Sequence, residues 1–242
     1  EILFWVGCAG SYDERAQRVS RAFANILNHA GVKFAILGAE EGCTGDPAKR
    51  AGNEFLFQMQ AMQNIEILNG YGVKRIVTAC PHCFNTLKNE YPSLGGNYEV
   101  IHHTQLISEL LKDGRIAIEG GAYQGKKITY HDSCSGLREL GIKQQPRDLL
   151  LAAGAKINEM ADPEICCGFG GTFCVKYPDI SVRMVSDKAK DVTATGAQML
   201  LAGDMGCLLN MAGRLKREGS NVQVRHVAEV LAGMTDAAPI GE

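Results

Sequence analysis

Arg75-Ile76-Val77-Thr78-Ala79-Cys80-Pro81-His82-Cys83, set above Met199-Leu200-Leu201-Ala202-Gly203-Asp204-Met205-Gly206-Cys207, decides how this chain is built. Each stretch is a short apolar run that breaks at small residues and delivers a cysteine to the start of a helical pattern, the order strand, loop, helix. The two stretches stand 124 residues apart, and the same shift lays Cys43 on Cys167, Gly42 on Cys166, Cys80 on Asp204 and His102 on His226. Cys8 meets Cys134 after a slip of two residues. The chain therefore reads as two copies of one unit, each with cysteines in the same order. Repetition in register is most simply explained if the cysteines are ligands of two metal centres.

Outward from those stretches the same alternation continues. In the first half, Ile2–Val6 reads as a strand stopping at Gly7-Cys8, Glu14–His29 as a helix, and Val32–Leu37 as a strand leading to Cys43-Thr44-Gly45-Asp46-Pro47. One long helix is expected from Pro47 to about Asn69, then the strand Arg75–Thr78, a helix through Leu87, the strand Tyr98–Ile101 and a helix over Thr104–Leu111. The second half repeats this with strands at Lys127–Tyr130, Lys156–Glu159, Gln198–Ala202 and Val222–Val224, and helices near Pro146–Ala153, Ile180–Thr195 and Val227–Leu231. Alternating strands and helices predict an α/β fold: two pseudo-symmetric parallel-sheet units with helices on both faces. The expected domains are 1–116 and 127–234, joined by a Gly-rich linker over 113–126, with a loose tail after Met234. In such sheets the loops leaving the carboxyl ends of the strands converge, so cysteines far apart in sequence can meet at one edge. The cysteine loops are expected to face the boundary between the two units.

Composition narrows the class. The 242 residues carry a net charge of −2, with 45% hydrophobic and 21% charged residues, ordinary for a globular protein. No basic run or basic–aromatic interleaving suggests nucleic acid. No apolar run approaches the roughly 18 residues of a membrane span, and no signal peptide is visible. Because the chain opens at Glu1 directly on a strand-like run, an upstream segment is expected to have been removed or to lie elsewhere. Nine cysteines in a helix-rich chain do not resemble a secreted disulfide scaffold. They exceed what core packing explains, so metal or redox chemistry in a reducing cytoplasm is the better reading.

Ligand count alone leaves zinc and iron–sulfur open. A structural zinc usually draws on two close pairs, and only Cys80/Cys83 is one. The adjacent Cys166 and Cys167 would diverge around a single tetrahedral ion but can reach different irons of a larger group, which favours iron–sulfur chemistry in the second unit.

Cys134, the 31 residues that follow it, Cys166-Cys167-Gly168-Phe169-Gly170-Gly171 and Cys207-Leu208-Leu209-Asn210 resemble the cysteine-rich CCG domain. That domain occurs, usually in two copies, in the B and D components of heterodisulfide reductase, the glycolate oxidase iron–sulfur subunit and lactate-utilisation protein A. The second half looks most like lactate-utilisation protein A. The first, with Phe4-Trp5-Val6-Gly7-Cys8-Ala9-Gly10 and Cys80-Pro81-His82-Cys83, looks more like heterodisulfide-reductase-D-like proteins. The family pattern has five cysteines per unit: one alone, a pair, and a Cys-x-x-Cys. Here Gly42 and Asp204 each replace one. The resemblance implies two iron–sulfur clusters: [4Fe–4S] on Cys8, Cys43, Cys80 and Cys83, and [4Fe–4S] or a non-cubane cluster on Cys134, Cys166, Cys167 and Cys207. It further implies electron transfer inside a multi-component oxidoreductase, heterodisulfide-reductase-like or oxidising a 2-hydroxy acid such as lactate or glycolate. A ferredoxin-type iron–sulfur protein or domain and a flavin-containing redox subunit would be its partners, in the cytoplasm or at a membrane through a partner.

Plainer readings stand beside these. Cys80-Pro81-His82-Cys83 could be a thiol–disulfide pair, although its registered partner Asp204/Cys207 cannot form a disulfide. A zinc-stabilised interaction module is the other alternative. His102 and His226 are expected to cap or pack, Cys174 to pack, and Arg183–Lys190 to form a solvated face. His131 could donate a hydrogen bond towards the second centre. Gly168–Gly171 matches no phosphate loop, and no catalytic triad or carboxylate pair stands out.

Overall fold

Four-residue apolar runs that are buried along their whole length fit only a strand covered on both faces, and Ile2–Trp5 (β1) and Met199–Ala202 (β7) are buried at every position. The computed structural model describes residues 2–118 and 123–241, and the chain divides into two units, Glu1–Ile116 and Ala117–Glu242.

In the first unit β1 is followed by α1 (Gly7–Tyr12), α2 (Glu14–His29), β2 (Phe34–Ala35), α3 (Asp46–Ala51), α4 (Glu54–Gly70), β3 (Arg75–Thr78), α5 (Pro81–Asn85), β4 (Glu99–His102) and α6 (His103–Lys112). The strands form one parallel sheet in the order β2-β1-β3-β4. The second unit runs β5 (Lys127–His131), α7 (Gln144–Ala152), β6 (Lys156–Ile157), α8 (Phe173–Lys176), α9 (Pro178–Ala194), β7, α10 (Met205–Arg217), β8 (Gln223–His226) and α11 (Val227–Leu231). Its sheet, β6-β5-β7-β8, is also parallel. The register repeats too: Trp5 pairs with Thr78 as His131 pairs with Ala202.

Strand alternation sorts the core of the second unit into two layers. Leu200 and Ala202 pack with Val185, Cys207 and Leu208 of α9 and α10. Met199 and Leu201 pack with Leu150 and Val227 of α7 and α11. In each sheet the chain moves outward in opposite directions from the first strand and its neighbour, β1/β3 and β5/β7. The carboxyl ends of such a pair open a crevice.

Several local expectations change. The helix expected over Pro47–Asn69 is two helices: Gly52 leaves α3 in the left-handed region (φ +86°) and Asn53 accepts from the Leu56 N–H to start α4, a stop and a start in adjacent residues. Helix α1 is an addition to the expected elements. The strands expected at Val32–Leu37 and Lys156–Glu159 shorten to two-residue edges, β2 and β6. Arg183–Lys190 is not a uniform solvated face, because Lys188 is 1% exposed; it shares the inward side of α9 with Val185 and Ala189 and its Nζ donates to the Asp162 carbonyl (2.6 Å). The tail after Met234 is packed: Ile240 is buried and its N–H bonds the Val224 carbonyl (2.9 Å), and Arg225 donates to the carbonyls of Thr235 and Ala237. Of the expected linker, residues 119–122 lie outside the described residues, while Tyr123 packs into the core of the second unit.

Candidate metal centres

In the first unit the four thiols come from α1 just after β1 (Cys8), the loop before α3 (Cys43), and the N-cap and first turn of α5 after β3 (Cys80 and Cys83). Helix α1 brings Cys8 to the crevice because Gly7 takes a left-handed turn (φ +79°), and a Cβ there would come within 3.3 Å of Cys83 Sγ. Glu41 holds this turn by accepting from the N–H groups of Val6 (3.0 Å) and Gly7 (2.5 Å), and burial pushes its carboxyl up to about 7. Asn64 anchors the Cys43 loop, donating to the Cys43 carbonyl (2.8 Å) and to Tyr91 Oη (3.0 Å), while Tyr91 donates to the Thr44 carbonyl (3.1 Å). A Cβ on Gly42 would lie 3.0 Å from Asn64 Oδ1, so this anchor occupies the space a paired cysteine would need. Cys80 caps α5, its Sγ accepting from the Cys83 N–H (3.4 Å). Cys8 touches Cys43, and Cys80 touches Cys83.

The second unit links its thiols into a row. Cys134 and Cys166 Sγ lie 3.9 Å apart, Cys166 also contacts Cys167, and Cys167 contacts Cys207. The nitrogen of His131 and the sulfurs of Cys167 and Cys207 all lie within 4.8 Å of one another, and all three residues are buried. Asp204, in the place of Cys80, does what Cys80 does: its carboxylate caps α10, accepting from the N–H groups of Gly206 (2.9 Å) and Cys207 (3.3 Å). Asn210 donates to the Cys167 carbonyl (2.9 Å). Behind Cys134, Asp132 is clamped by Arg147 (2.8 and 2.7 Å). Cys174 turns its thiol to the Gly171 carbonyl (3.1 Å). His102 and His226 are the N-cap residues of α6 and α11, with Gln105 and Glu229 accepting from their backbone N–H groups.

The donor chemistry suits a cation. Contact with Cys43 lowers Cys8 to about 6, and contacts with Cys134 and Cys167 lower Cys166. Each lowered thiol raises its neighbours: Cys43 through Cys8 and burial, Cys134 through Cys166 and burial. Contact with Cys80, then burial, lifts Cys83, and contacts with Cys166 and Cys207 lift Cys167. Cys207, despite a contact with Cys167 that favours its thiolate, is pushed up to about 12 by burial. Four thiols gathered in so small a volume cannot all ionise alone. A positive centre reverses this, since bound thiols are deprotonated. Backbone N–H groups already face sulfur, from Gly168 to Cys166 (3.3 Å) and from Gly45 to Cys43 (3.5 Å). All nine cysteines are free of disulfides, and the donor set fits a metal or iron–sulfur group in each unit.

Glu41, Asn64, Tyr91, Arg147 and Lys188 carry no signal in the sequence pattern that marks the cysteines. An acid two residues before Cys43 is the one available hint; the others act across long separations.

The model of the cysteine-rich domain CCG matches residues 2–88 and 128–212, the segments that carry the two cysteine sets. The chain is 40% identical over 243 residues to an EtfAB:quinone oxidoreductase of Syntrophomonas wolfei, covering 96% of this chain and 34% of that protein. It is 33% identical to the D component of the dihydromethanophenazine:CoB–CoM heterodisulfide reductase of Methanosarcina barkeri (96% of this chain, 58% of that one). It is 38% identical to lactate utilization protein A 2 of Bacillus cereus (89% and 91%). The chain thus spans about a third of the first of these, at 34%. With both units matched in order, this chain belongs to the CCG cysteine-rich domain family.

Proposed function

We propose that this chain is the iron–sulfur electron-transfer part of a larger oxidoreductase. The observation that carries the proposal is the gathering, in each unit, of four disulfide-free thiols from three distant segments at the carboxyl edge of a parallel sheet. Cys8, Cys43, Cys80 and Cys83 would hold a [4Fe–4S] cluster, and Cys134, Cys166, Cys167 and Cys207 a [4Fe–4S] or non-cubane cluster. Such groups accept and release single electrons at potentials tuned by hydrogen bonds and solvent access. The protein's part is to orient the sulfurs: Asn64 and Asn210 pin the Cys43 and Cys167 carbonyls, and Cys80 and Asp204 cap the helices that carry the buried Cys83 and Cys207. Its similarity to an EtfAB:quinone oxidoreductase and to a heterodisulfide reductase component supports exchange of electrons with redox partners, which in this proposal are a ferredoxin-type protein or domain and a flavin-containing subunit. Heterodisulfide-type or 2-hydroxy-acid chemistry would lie with the assembled complex. No helix among the described residues is long and apolar enough to cross a membrane.

Iron and acid-labile sulfide analysis with low-temperature EPR on anaerobically purified protein tests this. Two iron–sulfur signals are expected, and Cys167→Ala should abolish one and leave the other. Zinc without sulfide, or equal loss of both signals, would overturn the proposal.

A further inference from the structure

Trp5 and His131 close the first strand of their units, three residues before Cys8 and Cys134. They hold the same register, Trp5 opposite Thr78 and His131 opposite Ala202, and both are 0% exposed. The indole Nε1 of Trp5 and both ring nitrogens of His131 have no hydrogen-bond partner among the described residues. Buried donors are rarely left unmet, because the lost hydration is not returned. Two at matched positions point to an acceptor that the polypeptide does not itself supply.

The surroundings say what that acceptor is. His131 nitrogen lies within 4.8 Å of the sulfurs of Cys167 and Cys207. Tyr130, one residue earlier, packs on the opposite layer with Leu150 and Val227, as strand alternation requires. Phe4 likewise packs on Phe23 of α2 (ring centroids 5.0 Å), which turns Trp5 to the other face, the counterpart of the face holding the Cys167/Cys207 pair. Indole nitrogen is a donor only, and imidazole carries at least one N–H in every protonation state. The property shared by the two positions is therefore a buried N–H, not a lone pair for a metal.

We propose that Trp5 and His131 each donate an N–H hydrogen bond to sulfur of the centre in their own unit and so raise its reduction potential. Such bonds favour the more negative reduced state. The inference rests on the iron–sulfur reading and names positioning residues, not ligands.

Potentiometric EPR titration of the whole chain tests it. Trp5→Phe should lower the potential of the first centre and His131→Leu that of the second. Each should shift its own reduction equilibrium at least about ten-fold, equal to about 59 mV for one electron, and leave the other centre unmoved. Loading that fails in a variant is met by a measurement on the unaltered protein: pulsed EPR with ¹⁵N-labelled tryptophan and histidine should show one weakly coupled nitrogen of each type. Unmoved potentials, absent couplings, or a coupling as strong as a direct iron–nitrogen bond would overturn this inference and leave the electron-transfer reading standing. Absence of iron–sulfur signals would overturn both.

Discussion

Arg147→Met gives the sharpest test of how the second centre is held. The Arg147 side chain uses all five N–H groups: Nη1 and Nη2 on Asp132 (2.8 and 2.7 Å), Nε and Nη2 on Glu159 (2.7 and 3.0 Å), and Nη1 again on the Lys143 carbonyl (2.7 Å). Arg147 is 8% exposed and Asp132 2%, whereas the Glu159 side chain is 45% exposed. The exposed arm contributes little, about 0–1 kcal/mol. Removing Arg147 leaves the Asp132 carboxylate buried and uncompensated, which costs about 3–5 kcal/mol. With a urea dependence of roughly 2 kcal/mol per molar, the unfolding midpoint of the second unit should fall by about 1.5–2.5 M. Because Asp132 stands two residues before Cys134, metal loading of the second centre should fall while that of the first persists. The double variant Asp132→Leu/Arg147→Met should recover most of the lost stability, since no charge is then stranded. Arg147→Lys should remain damaged, because an ammonium cannot form the two-pronged contact. A midpoint that moves by less than about 0.5 M in Arg147→Met, or a double variant no better than the single, would refute the reasoning.

Gly168→Ala should destabilise the second unit by about 2–4 kcal/mol, read from urea unfolding. Gly168 sits at φ +82°, and a Cβ there would lie 2.8 Å from the Ser181 carbonyl oxygen; an unchanged midpoint would contradict that crowding. Asp204→Ala should cost about 1 kcal/mol through loss of the α10 cap, with Asp204→Asn close to the parent; equal loss in both would assign Asp204 another role. Burial holds His226 down at about 4, against 6.5 when unfolded. Its folded value is depressed, so its contribution is intact above pH 6.5 and is lost as pH falls towards 4. Over that window the loss amounts to about 3 kcal/mol, and His226→Gln should flatten the pH dependence of the urea midpoint; a parallel profile would sink the assignment.

The repeat, the fold class and the candidate ligands are legible because they are local: four apolar residues make a buried strand, and a cysteine just beyond its end lands at the crevice whatever else the chain does. The break at Gly52-Asn53 is hidden because apolar spacing continues across it, while the stop is written in one left-handed glycine and one capping side chain. Helix α1 is hidden because its six residues are too few for periodicity to register. The inward turn of Lys188 follows from the packing of α9, not from its charged neighbours.

By itself the sequence determined two look-alike α/β units with cysteines at equivalent strand ends, since strand and helix periods depend only on neighbouring residues. Only the tertiary structure decided how the sites are held: Glu41 under the Cys8 turn, Asn64 and Tyr91 behind Cys43, and Arg147 clamped on Asp132. Those contacts join residues far apart in the chain, and no local pattern encodes which distant groups the folding of a sheet will bring within hydrogen-bond reach.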